Sequence, residues 1–187
     1  MEIKDKLIQK QSKGEQIDFL FFWGHISREN KLGKECLSQW YDCKFTQKND
    51  NGEIVEYHTA EQFMMAQKAL LFEDLIVYNQ IMCADEPREY KELGREVSGF
   101  DKEVWDKHKT QIVLNGNILK FSQNEELLKF LKGTNNAVLV EASPYDRIWG
   151  IGMRESNPNA KIVQNWKGEN LLGFILMQVR ERLKNGN

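Results

Sequence analysis

Thr59-Ala60-Glu61-Gln62-Phe63-Met64-Met65-Ala66-Gln67-Lys68 is the stretch on which the fold turns. A Thr followed three residues later by Gln, just ahead of an apolar run, is a capping box and starts a helix. From Phe63 to about Met82 apolar residues fall on nearly every side, the pattern of a buried central helix. Glu61 and Lys68 are seven residues apart, so they share a face with Met64, Met65, Phe72 and Leu75. A carboxylate and an ammonium in an apolar stripe are costly without partners. About 10 Å of helix axis separates them, too far for mutual satisfaction, so something else must cover this face. The competing reading makes Glu61 a first-turn acid that complements the helix dipole and lets Lys68 snorkel to the surface. Spacing does not decide between them.

Upstream, residues 1–16 are charged and Gln-rich, a short helix or a loose arm. Ile17 to Trp23 (IDFLFFW) reads as a buried strand entering a turn at Gly24. Cys43–Gln47 and Glu53–Tyr57 flank Asn49-Asp50-Asn51-Gly52, a hairpin turn. Downstream, Pro87 opens a helix over Arg88–Val97, and Asp101 caps a long one to about Ser122 that carries through Asn115-Gly116-Asn117. Glu125–Leu131 is another helix, closed by Gly133. Ala137–Glu141 is a strand, Ala142–Glu169 a loop, and Leu171–Leu183 a last amphipathic helix. The reading is one compact, helix-rich α+β domain with a small sheet, without repeats or a linker.

Composition excludes several classes. The chain has 187 residues, with 26 Lys and Arg against 28 Asp and Glu, a net charge of −2. A protein that coats nucleic acid non-specifically would need a cationic excess. No apolar run reaches the roughly 18 residues of a membrane span, and the mixed-charge start lacks the core of a signal peptide, so no membrane partner and a cytoplasmic location are expected. Cys36, Cys43 and Cys83 are odd in number without a CxxC spacing. A zinc site of Cys36, Cys43 and His58 would lack a fourth ligand, so neither a metal nor another cofactor is implied. There is no GxGxxG or P-loop, and His25, His58 and His108 suggest no Ser-His-Asp triad.

Other residues invite a functional reading. Asp146 sits in the loop Glu141-Ala-Ser-Pro-Tyr-Asp-Arg-Ile-Trp-Gly-Ile-Gly152, where Pro, acid, Trp and two glycines present a side chain at the end of a strand. The plainer alternative, favoured for Asp146 alone, is an Asx turn. Trp23, Trp40, Trp105, Trp149 and Trp166 all lie near loops or helix starts, and two or three could stack on a base or sugar. Lys167–Gly173 has the form of an anion site, with Asn170 as cap and free N–H groups at a helix start.

In order along the chain, several fragments form a recognisable set. They are Leu37-Ser-Gln-Trp-Tyr41, Tyr57 through Lys68, Leu93-Gly-Arg95, Gly99-Phe-Asp101 with Trp105, and Lys120-Phe121. Leu139-Val-Glu-Ala142, Asp146 with Trp149-Gly150, and Asn170-Leu-Leu-Gly173 complete it. The set resembles the NADAR, or YbiA-like, family over about residues 19 to 184. The resemblance implies a domain over residues 19–187 with residues 1–18 as an N-terminal extension, and hydrolysis of N-glycosidic bonds. Substrates of the family include phosphoribosylamino-pyrimidine intermediates of riboflavin synthesis and ADP-ribose on guanine in nucleic acid. The family's acid, lysine, tryptophan and second acid fall on Glu61, Lys68, Trp105 and Asp146. Met153–Lys167 looks longer than the Gly-rich turn of some relatives, which bears on substrate choice.

The expected reaction breaks a C1′–N bond between ribose and a base. Its transition state resembles an oxocarbenium ion, stabilised by fixed negative charge near C1′ and by protonation of the leaving nitrogen. Glu61 and Asp146 could divide these roles. Alternatively, a desolvated Lys68 attacks C1′ of a ring-opened ribose and forms a Schiff base. Trp105 and Trp149 would stack on base or sugar, Ser38, Gln39 and Asn170 would hydrogen-bond ribose or phosphate, and Trp23, Trp40 and Gly150 complete the expected substrate-binding set. The substrate that the resemblance implies is an ADP-ribose or ribose-phosphate N-glycoside, free or within DNA or RNA. A non-catalytic ADP-ribose or nucleotide-binding module is the alternative, disfavoured because it needs no Glu61 and Lys68 on one face; a structural partner protein ranks last.

Overall fold

The computed structural model describes residues 3–27 and 31–184. Met1 and Glu2 of the expected extension, and residues 185–187 of the expected domain, lie outside them. The elements are α1 (Ile3–Ser12), β1 (Phe19–Phe22), β2 (Phe45–Lys48), β3 (Ile54–Tyr57), α2 (Ala60–Leu71), α3 (Leu75–Cys83), α4 (Pro87–Glu96), α5 (Lys102–Ser122), α6 (Glu125–Gly133), β4 (Val138–Glu141) and α7 (Leu171–Lys184). The helix-rich α+β class is as expected. The strands form two pairs: β1 with β4, parallel, and β2 with β3, antiparallel. Contacts divide the chain into two units, residues 1–38 with 129–187, and residues 39–128.

In the first unit β1 and β4 pair in register from Phe19 against Val138 to Phe22 against Glu141. Their side chains join Leu7, Ile151, Met153, Ala160, Val163, Trp166 and Phe174 in one core. Leu7 belongs to α1, so the N-terminal segment is a packed helix rather than a loose arm. The α1 side chain Gln11 also accepts from the Val163 N–H at 2.9 Å. The Trp166 indole donates to the Ala160 carbonyl at 2.7 Å, which makes this tryptophan a core residue. Helix α7 lies against β4 because Gly173 has no side chain: a Cβ there would stand 2.1 Å from the Leu139 carbonyl oxygen.

The second unit is built around α2. Thr59 caps it as expected, its hydroxyl accepting from the Gln62 N–H at 3.0 Å. The Gln62 carboxamide oxygen accepts from the His58 N–H at 2.8 Å, one residue upstream of the usual capping-box partner. Phe63 packs among Phe45 and Tyr57 of the hairpin, with ring centroids 6.0 and 5.0 Å away. It also packs on Gly116 of α5, where a Cβ would stand 2.6 Å from the ring, and the Asn-Gly-Asn segment runs through the helix as expected.

The helix read as continuous from Phe63 to Met82 breaks at Glu73, whose φ is +58°. Asp74 then starts α3, one carboxylate oxygen capping the Val77 N–H at 3.0 Å and the other accepting from Ser98 N–H and hydroxyl. These bonds stabilise a local break that apolar periodicity does not register. Leu75 and Ile76 consequently face outward, 61% and 75% exposed, so Leu75 does not share the Glu61–Lys68 face.

Gly173 and Gly94 separate two kinds of close packing. At Gly94 a Cβ would meet the flexible Met65 side chain, whereas at Gly173 it would meet backbone. Gly173→Ala is therefore expected to cost about 1–3 kcal/mol, a Tm loss of roughly 3–10 °C. Gly94→Ala should cost less. Equal losses by calorimetry would contradict this account of the α7–β4 contact.

Candidate active site

Lys68 is the best-defined reactive group of the second unit. It lies in the last turn of α2, half-buried, and its Nζ donates to the Gly94 carbonyl of α4 at 2.5 Å. Nζ stands 4.2 Å from the centroid of the Phe100 ring and 5.7 Å from that of Trp105. Burial lowers its pKa below the ordinary 10.5. The lysine is thus held between rings and a carbonyl instead of snorkelling freely. Phe100 was not singled out as a site residue from the sequence; its place between Gly99 and the Asp101 cap was the available signal.

Glu61 occupies the first turn of the same helix and is 4% exposed. Its backbone N–H donates to the Gln39 carbonyl at 2.9 Å, tying residues 39–41 to the helix start. The Gln39 side chain is oriented by a residue the sequence reading passed over. Asn117, fully buried, donates from Nδ2 to the Val113 carbonyl at 2.9 Å and to Gln39 Oε1 at 2.8 Å. The Val113 contact fixes which end of Asn117 is the donor, and that in turn turns Gln39 Nε2 away from it. Nε2 is buried with no hydrogen-bond partner. Trp40 is half-buried under the Lys91 ammonium, 5.8 Å from its ring centroid.

In the first unit, Asp146 forms the Asx turn: its Oδ1 accepts from the N–H groups of Ile148 and Trp149 at 2.9 and 2.7 Å. Both bonds fall on one oxygen, so the turn does not consume the other. Gly150 follows, where a Cβ would stand 2.8 Å from the Glu141 carbonyl oxygen, so its role here is close backbone packing. Ser38 ends a 3-10 turn over Lys34–Leu37, and Trp149 is half-buried. Trp23 is 48% exposed and has two neighbours not singled out as site residues from the sequence, Tyr145 and Arg154.

The anion site expected at residues 167–173 is corrected by the geometry. Asn170 is fully buried with φ +57°. Its Oδ1 accepts from Glu141 N–H at 2.9 Å and its Nδ2 donates to the Leu139 carbonyl at 3.0 Å, so the amide braces β4. The N–H groups of Asn170, Leu171 and Leu172 donate to the carbonyls of Gly150, Ile148 and Trp149. A helix start whose donors are already spent on a loop offers little to an anion.

Among the described residues no group of three or more His, Cys, Asp or Glu is placed to hold a metal, and no helix is long and apolar enough to cross a membrane. Cys36, Cys43 and Cys83 are in no disulfide, and burial raises the pKa of Cys43.

The chain belongs to the NADAR domain family, whose profile matches residues 21–184 and so runs through both units. An N-glycosidase of Acanthamoeba polyphaga mimivirus is 45% identical over 163 residues, covering 87% of this chain and 95% of the viral protein. The chloroplastic riboflavin biosynthesis protein PYRR of Zea mays is 31% identical over 142 residues, 72% of this chain but 21% of the maize protein. In three dimensions the chain resembles the NMR structure of the E. coli protein YbiA, with a TM-score of 0.69 at 27% identity, covering 91% and 88% of the two chains.

The Lys68 environment has a measurable sign. A pKa lowered by folding means that the unfolded chain holds more protons between the folded pKa and 10.5, so this group makes stability rise with pH across that window. After reductive methylation with 13C-formaldehyde, an NMR titration should show one dimethyl-lysine signal titrating below the exposed lysines and absent from Lys68→Arg. If no signal titrates early, the amine is an ordinary ammonium.

Proposed function

We propose that this chain hydrolyses the C1′–N bond between a ribose and a base, with Glu61, Lys68 and Asp146 as the catalytic residues. Its family and the curated N-glycosidases among its relatives support the class of reaction, a hydrolase acting on N-glycosyl bonds. The finer reading is that the sugar belongs to ADP-ribose joined to guanine in nucleic acid or to a phosphoribosylamino-pyrimidine. Three cysteines outside any disulfide fit a reducing, cytoplasmic setting.

The observation that carries the proposal is the setting of Lys68. A neutral amine that donates one N–H to the Gly94 carbonyl keeps its lone pair for attack. The lowered pKa increases the neutral fraction, and the Phe100 and Trp105 rings offer faces for the sugar or base. The amine adds at C1′ of the opened ribose, the base leaves with a proton, and water releases the sugar from the imine. Glu61 and Asp146 supply the negative charge and proton transfer that bond breaking requires. If Lys68 stays charged, it positions phosphate and the two carboxylates carry the reaction.

ADP-ribosylated guanine oligonucleotide and the phosphoribosylamino-pyrimidine, offered separately, distinguish the two substrates by whether ADP-ribose or ribose phosphate is released. Glu61→Gln and Asp146→Asn should lower kcat by about 10²–10⁴-fold while the Glu61 variant keeps its Tm. Borohydride added during turnover should fix the sugar to Lys68, as located by peptide mass mapping, and Lys68→Arg should abolish both trapping and activity. An active Lys68→Arg with nothing trapped would leave the two-carboxylate route. Substrate binding without release of sugar or base from either compound would leave a non-catalytic nucleotide-binding module.

A further inference from the structure

Parallel strands in register end at the same edge of their sheet. Phe22 pairs with Glu141, so the residue after each strand emerges at the carboxyl edge of the β1–β4 pair. In open parallel sheets that edge is where ligands bind. From β1 comes Trp23, and from β4 comes the loop that carries Tyr145 and then Asp146. The Trp23 and Tyr145 rings lie 6.1 Å apart between centroids, inclined by 56°. The Arg154 guanidinium carbon lies 5.6 Å from the Trp23 ring centroid.

These groups are unusually open. Tyr145 is 81% exposed, Trp23 48% and nearby Ile26 77%. Clustered exposed aromatics of this kind mark a binding surface more often than scattered apolar residues do. Among the described residues Arg154 has no carboxylate partner; the adjacent Glu155 pairs with Lys34 at 2.9 Å. A hollow of about 500 Å³ beside the Trp23 ring is lined by the ammonium groups of Lys31 and Lys34 and by the carboxylates of Glu35 and Glu155. Flat π faces, a guanidinium with N–H groups to spare and a second exposed ammonium at Lys31 match a base with its phosphate. An apolar peptide would use the rings but not the cations.

We propose that Trp23, Tyr145 and Arg154 form a nucleotide subsite, the rings stacking on a base and the guanidinium holding its phosphate. It rests on the proposed N-glycosidase reading in one respect: the loop that carries Tyr145 also presents Asp146, so the subsite binds a part of the same substrate beyond the sugar whose bond breaks. That part is either the adenylate half of ADP-ribose or a nucleotide neighbouring the modified base in a strand.

Binding of unreactive ligands tests the subsite apart from catalysis. Adenosine, AMP, ADP-ribose and a five-nucleotide single strand are titrated by calorimetry against the full chain, with the Trp23 indole N–H followed by NMR. AMP should bind and shift that signal. Trp23→Ala should weaken AMP about tenfold or more, and Trp23→Phe should restore most of the loss. Arg154→Gln should weaken AMP while leaving adenosine unchanged. If Trp23→Ala does not fold, Tyr145→Ala, at a far more exposed position, carries the same test. Competition of AMP by ADP-ribose assigns the subsite to the adenylate half, and competition by the strand assigns it to a neighbouring nucleotide. AMP affinity unaffected by these ring and guanidinium substitutions, or no binding by any ligand, overturns the proposal even if the chain releases sugar from its substrate. AMP binding by an unaltered chain that releases neither sugar nor base from either substrate would overturn the N-glycosidase reading alone.

Discussion

A parallel pair of strands cannot be closed by a hairpin, so β1 and β4 can meet only if the chain between them makes a long crossover. Here that connection contains an entire unit, residues 39–128, with its own hairpin, central helix and aromatic core. The pairing brings the end of β1 and the loop after β4 to one edge of the sheet. It is then locked from behind. Asn170, in a left-handed conformation, bonds the N–H of Glu141 and the carbonyl of Leu139, and Gly173 lets α7 close onto the same strand. The position of Asp146 depends on that lock, since its loop runs between the strand and the brace.

In the interposed unit a different constraint operates. Lys68 is partly withdrawn from water, which disfavours its charge, while one carbonyl and two rings hold the amine in place. A surface lysine would retain full hydration and its ordinary basicity. Desolvating an amine costs stability, and a hydrogen bond from Nζ to Gly94 offsets part of that cost. A reactive residue maintained in this way accords with the tendency of functional sites to carry perturbed groups.

Much of this was legible because local signals agreed with tertiary packing. The Thr59 cap, the Asp101 cap, the Asn-Asp-Asn-Gly turn and the apolar strands all appear where chain chemistry places them. The break between α2 and α3 was not legible, because Asp74 acts through Ser98, far away in sequence, and apolar periodicity carries no record of that partner. Asn170 shows the converse failure. A polar residue ahead of a helix has the look of a cap or an anion site, yet its amide is used by the strand beside it. The positions of Glu61 and Lys68 on one helix were readable from a period of 3.6, whereas the ring that covers Lys68 comes from Phe100, beyond the reach of any spacing rule. Tyr145 and Arg154 were invisible for the same reason: their meeting with Trp23 exists only once β1 and β4 have paired.

That pairing also sets a timetable. During synthesis β1 leaves the ribosome more than a hundred residues before its partner β4. At about 5–20 residues per second, the apolar run Ile17–Trp23 waits on the order of ten seconds without its strand neighbour. An unpaired, aromatic-rich strand is the kind of segment that seeks other edges and that chaperones shield. Closing so long a loop carries an entropic cost that folding of the intervening unit lowers by shortening the effective chain. A nascent chain truncated before Val138 therefore carries a strand with no mate, and its solubility depends on factors other than its own fold.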